Sequence, residues 1–324
     1  MCTSRALADG PVYAATVNEL LGKRVALITG KGGVGRSTVA AALAQVAKRA
    51  GKRVLLAEVT DGSDDYSALA QRFGMNQLPR TATEIAPGIL GSQLLSDSGV
   101  ELFINSVLHV PLLARTALGF EPLRRLFSAA PSLRELGTFF HLLTYLRAHR
   151  PDGSPQHELI VIDMPATGHT LALTGLPEVV GRLITRGPIA DGLKEGQSYL
   201  NNPQRAAAYV VTLPETLPIS EALELIEGLQ KTRVHQGGVI VNRMPADRFT
   251  AEEAQELEKY IEKQPVFGAE GFHRIGESRR AVERLRKATP VPTLELPECQ
   301  ETDGELVDKL ATALQASVFQ PGIA

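Results

Sequence analysis

Residues 27 to 44, LITGKGGVGRSTVAAALA, pass from an apolar, strand-like run through a glycine-rich bend into a helix-like run, an order suited to holding a polyphosphate. Such a bend turns successive backbone N–H groups toward an anion, and the helix that follows adds partial positive charge at its N-terminus. Gly30, Gly32, Gly33 and Gly35 allow phosphate oxygens close to the backbone, with Val34 between the last two. Ser37 offers a hydroxyl to Mg2+ and Thr38 one to a phosphate oxygen. The general pattern G-x-x-x-x-G-K-[ST] has lysine where this chain has Arg36, whose guanidinium is charged but longer, planar and forked. Lys31 stands at the second position of the loop, where the general pattern requires no lysine. The cofactors implied are ATP and Mg2+.

A second constellation, VIDMPATGHTLAL, spans residues 161 to 173. Asp163 ends an apolar strand and is placed to hold Mg2+ through water. Pro165, Ala166, Thr167, Gly168, His169 and Thr170 are too small and polar for core and follow where a γ-phosphate-sensing switch belongs. His169 reads equally as a structural loop histidine.

These residues need a scaffold, and the chain supplies one in alternating apolar strands and amphipathic helices. Strands are predicted at Arg24 to Thr29, Arg53 to Val59, Leu159 to Asp163, Ala207 to Thr212 and Gly238 to Asn242, with a weaker one at Thr293 to Leu296. The fold class is α/β, a P-loop domain whose mostly parallel sheet is covered by helices on both faces. A helix is predicted to start at Thr250, with Glu253 completing a capping box. Residues 1–21 read as a loosely attached extension and residues 22–324 as one domain. Within it, residues from about 79 to 150 break the alternation as a helical insertion rich in apolar residues such as Leu102, Phe103, Leu112, Phe120 and Phe127. That insertion suits either ordinary helix core or a surface for an apolar client.

Of 324 residues, 34 are basic and 36 acidic, so no global field draws the chain to nucleic acid or an anionic membrane. Only Cys2 and Cys299 are present, which excludes a thiolate zinc site within one chain and suits a reducing, cytoplasmic location. No apolar run has the length of a membrane span.

Taken together, GKGGVGRST and DMPATGHTLAL resemble the deviant P-loop ATPases of the ArsA type, the family of arsenite-pump and tail-anchored-protein-targeting ATPases. The likeness runs through NPQRAAAYVVTLPETLPISEALELIEGL, VIVNR and LELPE, and is strongest to bacterial proteins encoded as pairs. The resemblance implies a face-to-face dimer, as homodimer or with an ArsA-type paralogue, in which Lys31 reaches the phosphates of the partner's ATP. It further implies that Asn242 contacts adenine, that the segment around Pro297 closes over the base, and that a hydrophobic or membrane-protein client is handled. Aligning VLLAEVTDGSDDYSALAQRF to the family puts Thr60 where a water-activating aspartate is expected, and threonine is no base. Asp61 is one residue away and takes that role if the loop shifts. Arg36 and Thr60 together suggest the weaker half of a heterodimer. A MinD- or ParA-like positioning ATPase is the remaining alternative. Against it, the last helix places Leu306, Leu310 and Leu314 on one face with only Lys309 as a base.

Overall fold

The chain is described by a computed structural model for residues 10–60, 66–95, 99, 134–165 and 186–318. Its strands are β1 (Val25–Gly30), β2 (Val54–Thr60), β3 (Thr83–Ala86), β4 (Ile89–Leu95), β5 (Leu159–Asp163), β6 (Ala206–Thr212), β7 (Gln236–Met244) and β8 (Thr293–Pro297). They form one sheet in the order β3-β4-β2-β5-β1-β6-β7-β8. Every neighbouring pair is parallel except β3 with β4. The helices are α1 (Gly10–Gly22), α2 (Arg36–Arg49), α3 (Ala68–Gln71), α4 (Arg134–Arg147), α5 (Pro188–Leu200), α6 (Thr216–Lys231), α7 (Ala251–Ile261), α8 (Ala269–Ala288) and α9 (Asp303–Val318).

The central strands are apolar throughout because both faces are covered, which is how a parallel sheet with crossover helices must read. In β1 the alternation divides the two cores. Val25 and Leu27 pack with α4, α5, α6 and α8, whereas Ala26 and Ile28 pack with α1, α2, α3 and α9. All six predicted strands are present. Their C-terminal ends, where ligands of open α/β sheets bind, carry Gly30, Thr60, Asp163, Asn242 and Pro297.

Two expectations are corrected. The helical insertion expected from about residue 79 does not begin there, because residues 83–95 form the β3–β4 hairpin at the sheet edge. Ile89 and Leu94 are buried, and a Cβ on Gly91 would lie 2.7 Å from the Ile85 side chain. Pro87–Gly88 turns the chain, with Gly88 at φ 76°. Farther along, residues 134–147 are helical as expected (α4), while Leu102, Phe103, Leu112, Phe120 and Phe127 lie outside the described residues. The second correction concerns the N-terminal extension, whose residues 10–22 form α1 against α9, β7 and β8. Val17 and Leu20 are each 1% exposed, and Glu19 bridges Lys23 at 2.7 Å and His235 at 2.8 Å. Burying two large aliphatic side chains contributes about 3–6 kcal/mol, enough to fix a short helix that would not persist alone.

The last helix, α9, behaves as its pattern indicated. Leu310 and Leu314 are buried against α2, and Arg49 of α2 bonds Asp308 at 2.8 Å and Gln315 at 2.9 Å. The Thr250 capping box is present, with Glu253 N donating to Thr250 Oγ1 at 3.2 Å and Thr250 N to Glu253 Oε2 at 2.7 Å. The basic run in α8 is largely compensated, by Arg274–Glu298 at 2.7 Å, Arg286–Glu295 at 2.8 Å, Lys287–Glu283 at 2.6 Å and Arg279–Asp247.

Beside α4 lies a buried polar group with a pH consequence. His157 is 3% exposed and edge-on to the Tyr145 ring, with centroids 5.7 Å apart. Burial, and then the charges of Arg24 and Arg53, push its imidazole down to about 4. The unfolded chain therefore takes up a proton that the folded chain refuses between about pH 6.5 and pH 4, so stability falls as pH falls through that window. This group alone is expected to cost about 3 kcal/mol by pH 4. Denaturant titrations at pH 7 and pH 4.5 check it, and His157→Gln should flatten the difference.

Candidate functional site

The sheet delivers β1 into the loop at Gly30, where a side chain is sterically excluded. A Cβ there would lie 2.3 Å from the carbonyl oxygen of Val211 on β6, at a φ of 152°. The loop ends at Gly35, which caps α2 in the left-handed region at φ 90° and ψ 25°. Gly35 has no side chain with which to cap α2, and the first turn of the helix carries no acid. Among the described residues no side chain of the cap or the first turn competes for the first N–H donors, a setting that suits an anion. Val34 is buried beneath the loop, whereas Lys31, Gly32 and Gly33 are exposed, and a Cβ on Gly32 or Gly33 would meet nothing within 4 Å. The open side of the bend is the side on which a phosphate would lie.

Asn242, two residues before the end of β7, pins this shape. Its Nδ2 donates to the Val34 carbonyl at 2.9 Å and its Oδ1 accepts from Arg243 N at 3.0 Å, with the side chain 4% exposed. These two bonds use one N–H and one lone pair of the amide. Nothing in the local sequence around Asn242 announces this bond to a loop some two hundred residues earlier.

Asp163 is the buried charge of the site. It is 5% exposed, and its Oδ1 has no hydrogen-bond partner among the described residues. Burial pushes its carboxyl up to about 6, against the opposing pull of a hydrogen bond from Ser37 and the charge of Arg36. A carboxylate and a hydroxyl side by side, with one carboxylate oxygen unspent, form a hard-oxygen donor set that fits Mg2+ held directly or through water. Arg36 reaches toward the same place, and its Nη1 donates to the carbonyl of Met164, the residue after Asp163. Its guanidinium is therefore anchored at the end of β5, a partner that the sequence did not disclose.

The remaining candidates are dispersed around this centre. Lys31 is half-exposed and its Nζ lies 3.1 Å from Glu221 Oε1 on α6. Thr60 ends β2, opposite Leu95 of β4 and two strands from β1. Pro297 ends β8 opposite Met244, with Glu298 N donating to the Met244 carbonyl at 2.8 Å. Thr38 is 5% exposed in the first turn of α2, and Pro165 follows β5 after Met164. Asp61, Thr167, Gly168 and His169 lie outside the described residues. Sequence reasoning missed Glu221, which reads as one more acid on an amphipathic helix.

Comparison with known proteins agrees with this geometry. A family profile described as anion-transporting ATPase matches residues 23–188, from just before β1 to the start of α5. The chain is similar to the ATPase BagA of Mycobacterium tuberculosis, 31% identical over 255 residues that cover 76% of this chain and 71% of that protein. It is also similar to an arsenical pump-driving ATPase of Escherichia coli, 28% identical over 237 residues that cover 72% of this chain and 37% of the relative. A sheet of this order, a glycine loop opening α2 and these relatives agree: the chain belongs to the anion-transporting ATPase family, the ArsA-type P-loop ATPases.

Proposed function

We propose that the bend between β1 and α2 holds ATP with Mg2+, and that hydrolysis switches a dimer of this chain between states that retain and release a hydrophobic or membrane-associated client in the cytoplasm. One observation carries the nucleotide site. A loop–helix junction with glycine at its cap stands beside a buried carboxylate, Asp163, with an oxygen unpaired among the described residues and a hydroxyl neighbour, Ser37. The loop amides from Gly30 to Ser37 would hold the β- and γ-phosphates, Ser37 and Asp163 would hold Mg2+, and the Thr38 hydroxyl would donate to a phosphate oxygen. Bound Mg2+ supplies charge neutralisation on the γ-phosphate. Attack of water on the γ-phosphorus breaks its bond to the bridging oxygen, and the proton of that water goes to Asp61, since the hydroxyl of Thr60 is no base. Pro165, Thr167, Gly168 and His169 follow β5 as the segment that senses the γ-phosphate. Asn242 and Pro297 flank the base. Lys31 adds its charge to the phosphates of the facing subunit, and the apolar residues between about 100 and 130 supply the client surface.

A second reading rests on the anchoring of Arg36 to Met164, which takes the loop's guanidinium toward the end of β5. In that reading the chain is the weaker half of a heterodimer with an ArsA-type paralogue. Phosphate release by the purified chain separates the two: turnover by the chain alone supports the first, and turnover only after mixing with a paralogue supports the second. Arg36→Lys frees the carbonyl and restores the general pattern, and is expected to raise kcat about tenfold, equivalent to about 1.4 kcal/mol of barrier. An unchanged or lower kcat in Arg36→Lys would show that the guanidinium already serves.

A further inference from the structure

The loop carries two cations, and both are engaged by the protein. Arg36 is anchored on the Met164 carbonyl, and Lys31 is paired with Glu221 at 3.1 Å. The first turn of α2 contributes no acid, so the carboxylate that faces the loop's lysine comes from α6, an element outside the loop altogether. The backbone around Lys31 does not confine the side chain, since Gly32 follows with open space on its Cβ side. Both partners are partly exposed, 50% for Lys31 and 26% for Glu221. An ion pair at that exposure is weak, so it holds the lysine without trapping it. A polyphosphate in the bend of the facing subunit, the one that Lys31 is proposed to reach, brings several negative charges against one carboxylate.

We infer that Glu221 is a positioning residue that holds Lys31 off the phosphates in the nucleotide-free chain and yields it when a nucleotide competes. This deepens the ATP site proposed above and rests on that reading. Glu221 thereby tunes nucleotide affinity: a stronger cis pair weakens binding, and loss of the pair strengthens it. The same carboxylate would also repel phosphate directly, so a single substitution does not separate the two effects, whereas a double-mutant cycle does.

Equilibrium binding of ATP with Mg2+ is measured for the full chain and for Glu221→Gln, Lys31→Ala and the double variant. Glu221→Gln is expected to bind ATP about two- to fivefold more tightly, the span that an exposed ion pair represents. Glu221→Asp should return part of the way to the parent affinity. In the Lys31→Ala background the gain from Glu221→Gln should vanish. A gain of the same size without Lys31 would show plain repulsion and overturn the inference, as would a Glu221→Gln variant that binds no more tightly than the parent. A parent chain that binds no ATP would instead defeat the reading of the site itself.

Discussion

Gly35→Ala is expected to lower ATP affinity at least about tenfold and to destabilise the chain by about 2–4 kcal/mol. The backbone there sits at φ 90°, a region that costs an L-residue about 1–2 kcal/mol. The added methyl would also lie 2.3 Å from Asn242 Nδ2 and 3.6 Å from its Cγ. Asn242 has nowhere easy to go, because it is buried and bonded to both the Val34 carbonyl and Arg243 N. Moving it breaks a buried hydrogen bond at a cost of about 1–3 kcal/mol, and leaving it in place distorts the bend that presents the amides. Either response reaches the phosphates. Denaturant unfolding and ATP titration measure the two effects separately, and unchanged affinity would mean that the bend tolerates a side chain at its last position.

Asp163→Asn should act with opposite signs on stability and on catalysis. The carboxylate is 5% exposed with an unsatisfied oxygen, and burial raises its carboxyl to about 6, so its ionised form is held at a cost to the nucleotide-free fold. Asparagine keeps the shape and removes the charge, and the melting temperature without nucleotide should rise. Mg2+-dependent turnover should fall about 100- to 1000-fold, because the charge that organises the cation beside the transferring phosphoryl group is gone. Calorimetry without nucleotide and phosphate release with Mg2+ test the pair of effects. Turnover within about threefold of the parent would remove Asp163 from the metal site, whatever its effect on stability.

Much of the scaffold was legible because a doubly covered parallel sheet leaves its mark residue by residue. VALITG, LIVID and AAAYVVT are apolar on both alternating faces and are buried on both. The β3–β4 hairpin was less visible, since ILGSQLL interrupts its apolar run with glycine, serine and glutamine, although Pro87–Gly88 marks the turn. The packing of α1 could not be read locally, because Val17 and Leu20 acquire meaning only against β7, β8 and α9, more than two hundred residues downstream. The site divides in the same way. Gly30, Gly35, Ser37 and Asp163 follow from local pattern, since the chemistry of the bend is local. The bonds that tune it, Asn242 to Val34, Arg36 to Met164 and Lys31 to Glu221, join distant segments and belong to the tertiary fold alone.

Calorimetric titration of the purified chain with ATP, in the presence and absence of Mg2+, tests most directly the claim that this bend and Asp163 form one nucleotide site. Saturable one-to-one binding that tightens when Mg2+ is added is expected, with the Mg2+ gain lost in Asp163→Asn. Absence of binding up to millimolar ATP, or a Mg2+ gain that survives in Asp163→Asn, would contradict it.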